Sequence, residues 1–206
     1  MGLTTTNLSR VRPYADEASL ERAGGHQIDW TAVSLVDADS KKYVKAGTVM
    51  GKTAAGLLVP RGTTQTITVA VTSNVATATL VGHGYSVGDV LIISGASLAY
   101  ANGTKTVATV ADADTFTYAA TGANGTATGT IVASRTAIGL LETDAVQNGH
   151  ADSLSGYSLL VGGVVYETLL PDATGTPPVL AAATKAELTA AGCSFKYVAY
   201  ADSRAS

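Results

Sequence analysis

Two β-rich textures share this chain, and one interrupts the other. The segment YVKAGTVMGKTAAGLLVP (Tyr43 to Pro60) stops at Arg61-Gly62 and its pattern resumes at TAIGLLETDAVQNGHADSLSGYSLLVGGVVYETLLPD (Thr136 to Asp172). The stretch between them is dominated by Thr, Val, Ala and Gly, and its removal would leave the logic of its flanks unbroken. The sequence thus divides into residues 1–27, an arm; residues 28–62 with 135–206, a host domain; and residues 63–134, an inserted module. With 206 residues and 46% hydrophobic side chains there is enough apolar material for one ordinary core or two small ones.

The inserted stretch carries its own strand ladder. Thr66 to Val71, Val75 to Val81, Asp89 to Ser94, Lys105 to Val110, Thr115 to Tyr118 and Thr126 to Ala133 are rich in β-branched and aromatic residues. Turn chemistry separates them at Ser73-Asn74, His83-Gly84, Asn102-Gly103, Asp112-Ala113-Asp114 and Asn124-Gly125. Short strands at this spacing predict an antiparallel sandwich or barrel. Phe116 and Tyr118 alternate with Thr as inward-facing residues of a strand would.

The flanks read differently. Met1 to Gln27 lacks sustained alternation and predicts an extended arm, in which Asp16 to Ala23 could form two helical turns stopped by Gly24-Gly25. Ile28 to Val36 shows strand-like alternation, and Val44 to Met50 and Gly56 to Val59 suggest two short strands. Ala137 to Leu141 and Ser158 to Leu169 are longer apolar strands, the second marked by Gly162-Gly163 as a bulge or a close backbone approach. Val179 to Ala191 follows Pro177-Pro178 and ends at Gly192, the signature of a short helix, and Ser194 to Tyr200 closes the chain as a strand.

Composition excludes several function classes. Charged residues are 14% of the chain and the net charge is -3, so the basic footprint that neutralises nucleic-acid phosphates is missing. No run approaches the roughly 20 apolar residues of a bilayer-spanning helix, and the first residues do not read as a signal peptide, so a soluble protein is expected. The single cysteine, Cys193, cannot form an intramolecular disulfide and reads as a small apolar residue packed beneath the last strand.

Motifs with catalytic or binding associations fail on context. Gly47-Thr-Val-Met-Gly51-Lys52-Thr53 places three residues where a phosphate-binding loop needs four, and no helix follows. Gly84-Tyr85-Ser86-Val87-Gly88 fits the nucleophile-elbow pattern with His150 as a nominal base, but Asp89 to Ile93 continues as a strand. His26, His83 and His150 fall in separate regions without metal-pair spacing, and His83 reads as a turn residue. Asp112 and Asp114 read as a hairpin turn rather than a calcium loop, and Glu142 with Asp144 as a solvated strand end rather than a glycosidase pair. Asn102-Gly103-Thr104 and Asn124-Gly125-Thr126 are turns that happen to match glycosylation sequons. The expectation is a non-enzyme with no catalytic residues, metal or cofactor.

Two resemblances follow from particular residues. GHGYSVGDVLIISG and YANGTKTVATVADADTFTY, within the insert, resemble a β-module recurring in phage structural proteins. Lys45-Ala46-Gly47-Thr48-Val49-Met50-Gly51-Lys52, Ala137-Ile138-Gly139-Leu140-Leu141, Leu160-Val161-Gly162-Gly163-Val164-Val165, and Leu180 through Gly192 followed by Phe195 resemble, in order, the lambda-type head decoration (capsid cement) protein family. That resemblance implies a mainly β fold: a small barrel or β-tulip-like decoration domain with a short C-terminal helix, here interrupted by the antiparallel sandwich or barrel. It also implies a homotrimer bound to the major capsid protein on the outer surface of the virion, at three-fold and quasi-three-fold sites of the expanded head, with an N-terminal arm that adds to capsid β-structure. On that reading Thr4, Thr5, Thr6, Leu8, Val11, Pro13 and Tyr14 are candidate arm contacts. The alternative is a capsid- or tail-borne display module whose insert binds a host-surface glycan or receptor, with Tyr85 and Tyr100 as the candidates for stacking on a glycan.

Overall fold

A computed structural model describes residues 21–61, 65–147, 156–171 and 180–199. The protein is mainly β; among the described residues there is one α-helix, and the strands form two large sheets and a two-stranded ribbon. From the first flank come β1 (Glu21–His26), β2 (Tyr43–Val44), β3 (Val49–Lys52) and β4 (Leu58–Pro60). The middle of the chain supplies β5 (Gln65–Thr72), β6 (Val75–Thr79), β7 (Val90–Ser94), β8 (Gly103–Val110), β9 (Thr115–Ala119), β10 (Gly125–Thr126) and β11 (Ile131–Arg135). The second flank adds β12 (Gly139–Leu141), β13 (Ala145–Val146), β14 (Tyr157–Tyr166), α1 (Ala182–Ala190) and β15 (Ser194–Val198).

Strands β5 to β9 and β11 form a closed barrel. Antiparallel pairing runs β5-β11-β7-β8-β9-β6 and returns to β5, while β10 lies beside β5 beyond the end of β11. Closure removes the free edges that a six-stranded sheet would otherwise expose. The period-2 pattern of β5 turns Ile67, Val69 and Val71 inward and leaves the intervening Thr and Ala residues outside. Phe116 and Tyr118 are fully buried in the same core, as their alternation predicted. The β5–β6 hairpin turns on Ser73 and Asn74, both with positive φ (52° and 66°), the backbone that a two-residue type I′ turn requires. The expected strand from Thr126 to Ala133 is two strands, because Gly129 at φ 103° breaks it between β10 and β11.

The flanks assemble a second sheet in the order β1-β14-β12-β3-β4, with β15 running parallel to the later half of β14. Its edges meet: past β1, Ile28 forms a parallel bridge to Leu58, with Leu58 N–H donating to Gln27 O (2.7 Å) and Asp29 N–H to Leu58 O (2.8 Å). Over β12 and at Leu159–Leu160 of β14 both faces are covered, which is why these segments read as continuous apolar runs. Leu141 and Leu159 pack inward with Ile28, Trp30, Met50 and Leu58, whereas their neighbours Leu140 and Leu160 pack outward against Leu180 and Leu188 from the α1 side. Cys193 is buried in that outer layer, its thiol donating to Ile138 O at 3.4 Å, and burial raises its pKa.

Two local expectations are corrected. Glu21 to Ala23, expected in a helical segment, begin strand β1, because pairing with β14 offers their backbone groups partners that an isolated two-turn helix cannot; Gly24 and Gly25 form an irregularity in that strand between the paired Ala23 and His26. Ile28 to Val36 is not a strand: Asp29 caps a 3₁₀ turn at Trp30–Ala32 by accepting the Thr31 amide. Gly162 is a close approach, since a Cβ there would lie 2.4 Å from Ser194 Oγ and 2.6 Å from Glu21 Oε2.

The chain leaves this sheet at Pro60 and re-enters at Gly139, and both residues pair with Met50 from opposite sides. Pro60 and Gly139 are therefore two strand spacings apart, about 10 Å, while beyond them Gln65 pairs directly with Ala133. Replacing residues 63–134 by a short Gly/Ser linker is expected to leave a soluble protein in which the β14–β12–β3 pairings persist, read by cross-strand NOEs; aggregation, or loss of those pairings, would mean that the barrel supplies essential core. A second expectation concerns Gly95, whose φ is +84° and where a Cβ would lie 2.1 Å from the Thr130 carbonyl oxygen. Gly95→Ala should destabilise the barrel by at least about 1–3 kcal/mol, whereas Gly82→Ala, with positive φ but open space, should cost about 1 kcal/mol; equal denaturation midpoints for the two variants would refute the difference.

Candidate functional site

The polar chemistry of the described residues concentrates where barrel and sheet meet. Asp89 precedes the apolar run of β7, at the start of a strand that the barrel core pulls inward, and it is almost completely buried. Its Oδ1 accepts the Ala54 amide (2.8 Å) from the β3–β4 turn, and its Oδ2 accepts the Ser86 amide (3.1 Å) and Arg135 Nη2 (3.0 Å). Arg135 ends β11; its Nη2 also donates to Gly84 O (2.9 Å), and its guanidinium lies 4.9 Å over the Tyr85 ring. Backbone proximity tightens the contact: a Cβ at Gly88 would sit 3.0 Å from Ala54 Cβ, and one at Gly51 3.1 Å from Arg135 Cβ.

A second ion pair spans both chain crossings. Arg61 donates Nε to Glu187 Oε2 (2.8 Å) and Nη2 to Glu187 Oε1 and to Ser134 Oγ. The Ala137 amide donates to Glu187 Oε2 at 3.2 Å. One carboxylate on α1 therefore fastens the outgoing segment at Arg61 and the returning segment at Ala137.

Between the two ion pairs lies a cleft of about 400 Å³, walled by residues 31–35 and β2 on the sheet side and by residues 82–85 and Arg135 on the barrel side. His83, read from sequence as a turn residue, is instead buried here; its ring stacks on Tyr85 (centroids 5.3 Å apart) and meets Phe116 edge-on (5.1 Å). Burial raises the Tyr85 pKa, opposed by Arg135 and reinforced by Asp89.

The other residues singled out from sequence are placed as follows. Thr4, Thr5, Thr6, Leu8, Val11, Pro13, Tyr14 and His150 lie outside the described residues. Tyr85 is buried in the barrel core between His83 and Arg135, so it offers no open ring face for a sugar. Tyr100 is partly buried, covers Gly122 with its ring and donates its hydroxyl to Ala123 O. Ser86 is exposed and followed by a turn and β7, without the helix a nucleophile elbow needs. Gly47 to Thr53 runs into β3, not into a helix. Asp112 and Asp114 shape a hairpin, Asp112 accepting the Asp114 amide and Asp114 the Gly82 amide. Glu142 pairs with Arg22, and Asp144 accepts the Ala46 amide (2.7 Å). His26 sits on β1, where burial and then the Lys52 charge lower its pKa. Among the described residues no group of three or more His, Cys, Asp or Glu could hold a metal ion.

Sequence reasoning missed Asp89, Arg135, Arg61 and Glu187. A signal existed for Asp89, a carboxylate set directly before Val-Leu-Ile-Ile with no polar face to occupy. In comparisons with known proteins, no family model and no curated relative matches the chain.

Truncating Asp89 would leave the Arg135 guanidinium, 11% exposed, without its counter-charge. Asp89→Ala should therefore cost about 3–5 kcal/mol in denaturant unfolding, and Asp89→Asn, which can still accept the Ala54 amide, distinctly less. Equal losses would show that charge is irrelevant at this position.

Proposed function

We propose that the chain is a bacteriophage capsid decoration protein, which binds as trimers to the outside of the head at three-fold and quasi-three-fold sites and stabilises the expanded shell. The observation that carries this reading is the convergence of the resembling segments. Residues 45–52, 137–141, 160–165 and 180–195 are scattered over the chain, yet they contribute β3, β12, β14, α1 and the start of β15, which form one sheet with its covering layer.

On this reading residues 1–20 are the docking arm, since β1 from Glu21 onward belongs to the body. An extended segment with few apolar anchors gains little by folding alone, but it can pair its backbone with a partner's sheet edge. Each arm contact is weak; a trimer that engages several capsid subunits makes the later contacts intramolecular, raising avidity by about 100-fold to 10,000-fold. The inserted barrel then stands as a module on the particle surface. The role is structural, in keeping with the motif contexts above and with a net charge that favours no nucleic-acid contact. The glycan-display alternative gains no support from Tyr85, whose ring is enclosed.

The test is loading onto undecorated expanded heads, imaged by electron cryomicroscopy. Full-length protein should add density outside the shell at the three-fold positions, while protein lacking residues 1–20 should stay folded and fail to load. Absence of added density with the full chain would refute the assignment; normal loading by the truncated chain would refute the role of the arm.

A further inference from the structure

We propose that the threonine-rich wall of the barrel, formed by β5, β6, β9 and the end of β8, is a weak self-association face whose occupant is the same wall of a second copy of this chain. The inference is independent of the capsid reading. Outward-facing residues stand in rows across the strands. Thr68, Thr79 and Thr115 lie side by side in one row, and Ala70, Thr77, Thr117 and Thr109 in the next. Thr72, Val75 and Ala119 make a third, in which Val75 is 44% exposed. No charged side chain stands in any of these rows. The five charged residues of the segment 65–135 lie elsewhere: Asp89 pairs with Arg135 where the barrel meets the sheet, Lys105 donates to Tyr100 O, and Asp112 and Asp114 shape the β8–β9 hairpin.

Strand surfaces open to water are ordinarily kept apart by charged side chains, Lys above all, and this wall has none. What it offers matches itself. A Thr hydroxyl both donates and accepts, so two identical faces can satisfy one another, as Thr109 and Thr117 already do within the wall at 2.6 Å. A partner with a charged face would instead lose water from its charges and gain no counter-charge. The β-branched Thr and Val side chains have few rotamers to lose on contact. The hairpin sets the orientation: Asp112 and Asp114 lie beyond Thr115 at one end, and the uncharged Ser73-Asn74 turn lies before Val75 at the other. A two-fold contact with the copies reversed end to end places each acidic hairpin beside the partner's uncharged turn. Four strands about 4.8 Å apart and three rows about 7 Å apart give on the order of 300 Å² per copy, well under the roughly 800 Å² per partner of stable complexes. The contact is therefore transient and forms near millimolar concentration.

The experiment is a dilution series of the full-length protein, labelled on its threonine methyl groups, from millimolar to tens of micromolar concentration and followed by NMR. The Thr68, Thr77 and Thr117 methyl resonances should move with concentration along a common saturating curve, while that of Thr31, exposed beside the sheet, should not. Thr77→Lys, at an exposed strand position, should leave the barrel folded and raise the dissociation constant at least about tenfold, because each copy brings a new ammonium group to the same contact. Thr68→Lys should do the same, and Ala183→Lys, on the exposed side of α1, should leave the curve unchanged. Each substitution brings the net charge nearer zero, so association governed by overall repulsion would tighten in all three variants instead. Resonances that stay fixed across the series overturn the proposal. So do curves in which both threonine variants match the parent, or in which Ala183→Lys loses as much as they do.

Discussion

The Glu187 carboxylate holds the two places where the chain passes between barrel and sheet. Its oxygens take Arg61 on the way out and the Ala137 amide on the way back, so a single group on α1 ties the outgoing segment to the returning one. Bidentate guanidinium–carboxylate pairs are geometrically specific as well as strong, and with both side chains only 11% exposed this one is weakly screened by solvent. The β4 and β12 ends that flank Met50 are thereby held in register whether or not the barrel contributes any core of its own. The hydrophobic clusters agree: the barrel core draws its residues from 67–133, and the sheet's two layers draw theirs from the flanks.

Asp89 performs a second, different task. A buried ion pair often gains little over apolar residues of the same volume, because desolvating both charges offsets their attraction. What the Asp89 carboxylate adds is direction. It accepts from the β3–β4 turn through Ala54, from its own loop through Ser86, and from Arg135 at the end of β11. Those three donors approach from the sheet, the loop and the last barrel strand, so rotation of the barrel about its linkers would break at least one of them. The Cβ-free approach of Gly88 to Ala54 makes that arrangement sterically possible.

Much of the fold was legible where local chemistry decides it. The alternation in β5 and β9, the Ser73-Asn74 turn and the helix between Pro178 and Gly192 follow from side-chain period and from backbone conformations that few residues tolerate. The failures share a cause in long-range pairing. Glu21 to Gly25 looked like the end of a short helix because its partner, β14, lies more than 130 residues away. Barrel closure, the parallel bridge of Ile28 to Leu58 and the burial of His83 likewise depend on contacts no local window contains. The junction residues were the least legible, since a charged side chain in a polar linker looks alike whether it is solvated or buried against a distant partner.

The two locks bear on how the barrel could act on a crowded surface. A domain tethered by free linkers must surrender orientational freedom each time it meets a neighbour, and that loss subtracts from the contact energy. Here the ordering has been done within the folded chain, by Glu187 at the crossings and Asp89 at the interface. If the chain sits on a shell as proposed, contacts between neighbouring barrels would form at fixed geometry and without that loss. The outer faces of β5 and β6 suit such modest contacts, because they expose Thr and Ala rather than charge, with Thr68 opposite Thr79 and Ala70 opposite Thr77. Like-charge repulsion between identical modules brought side by side is thereby kept low on this face.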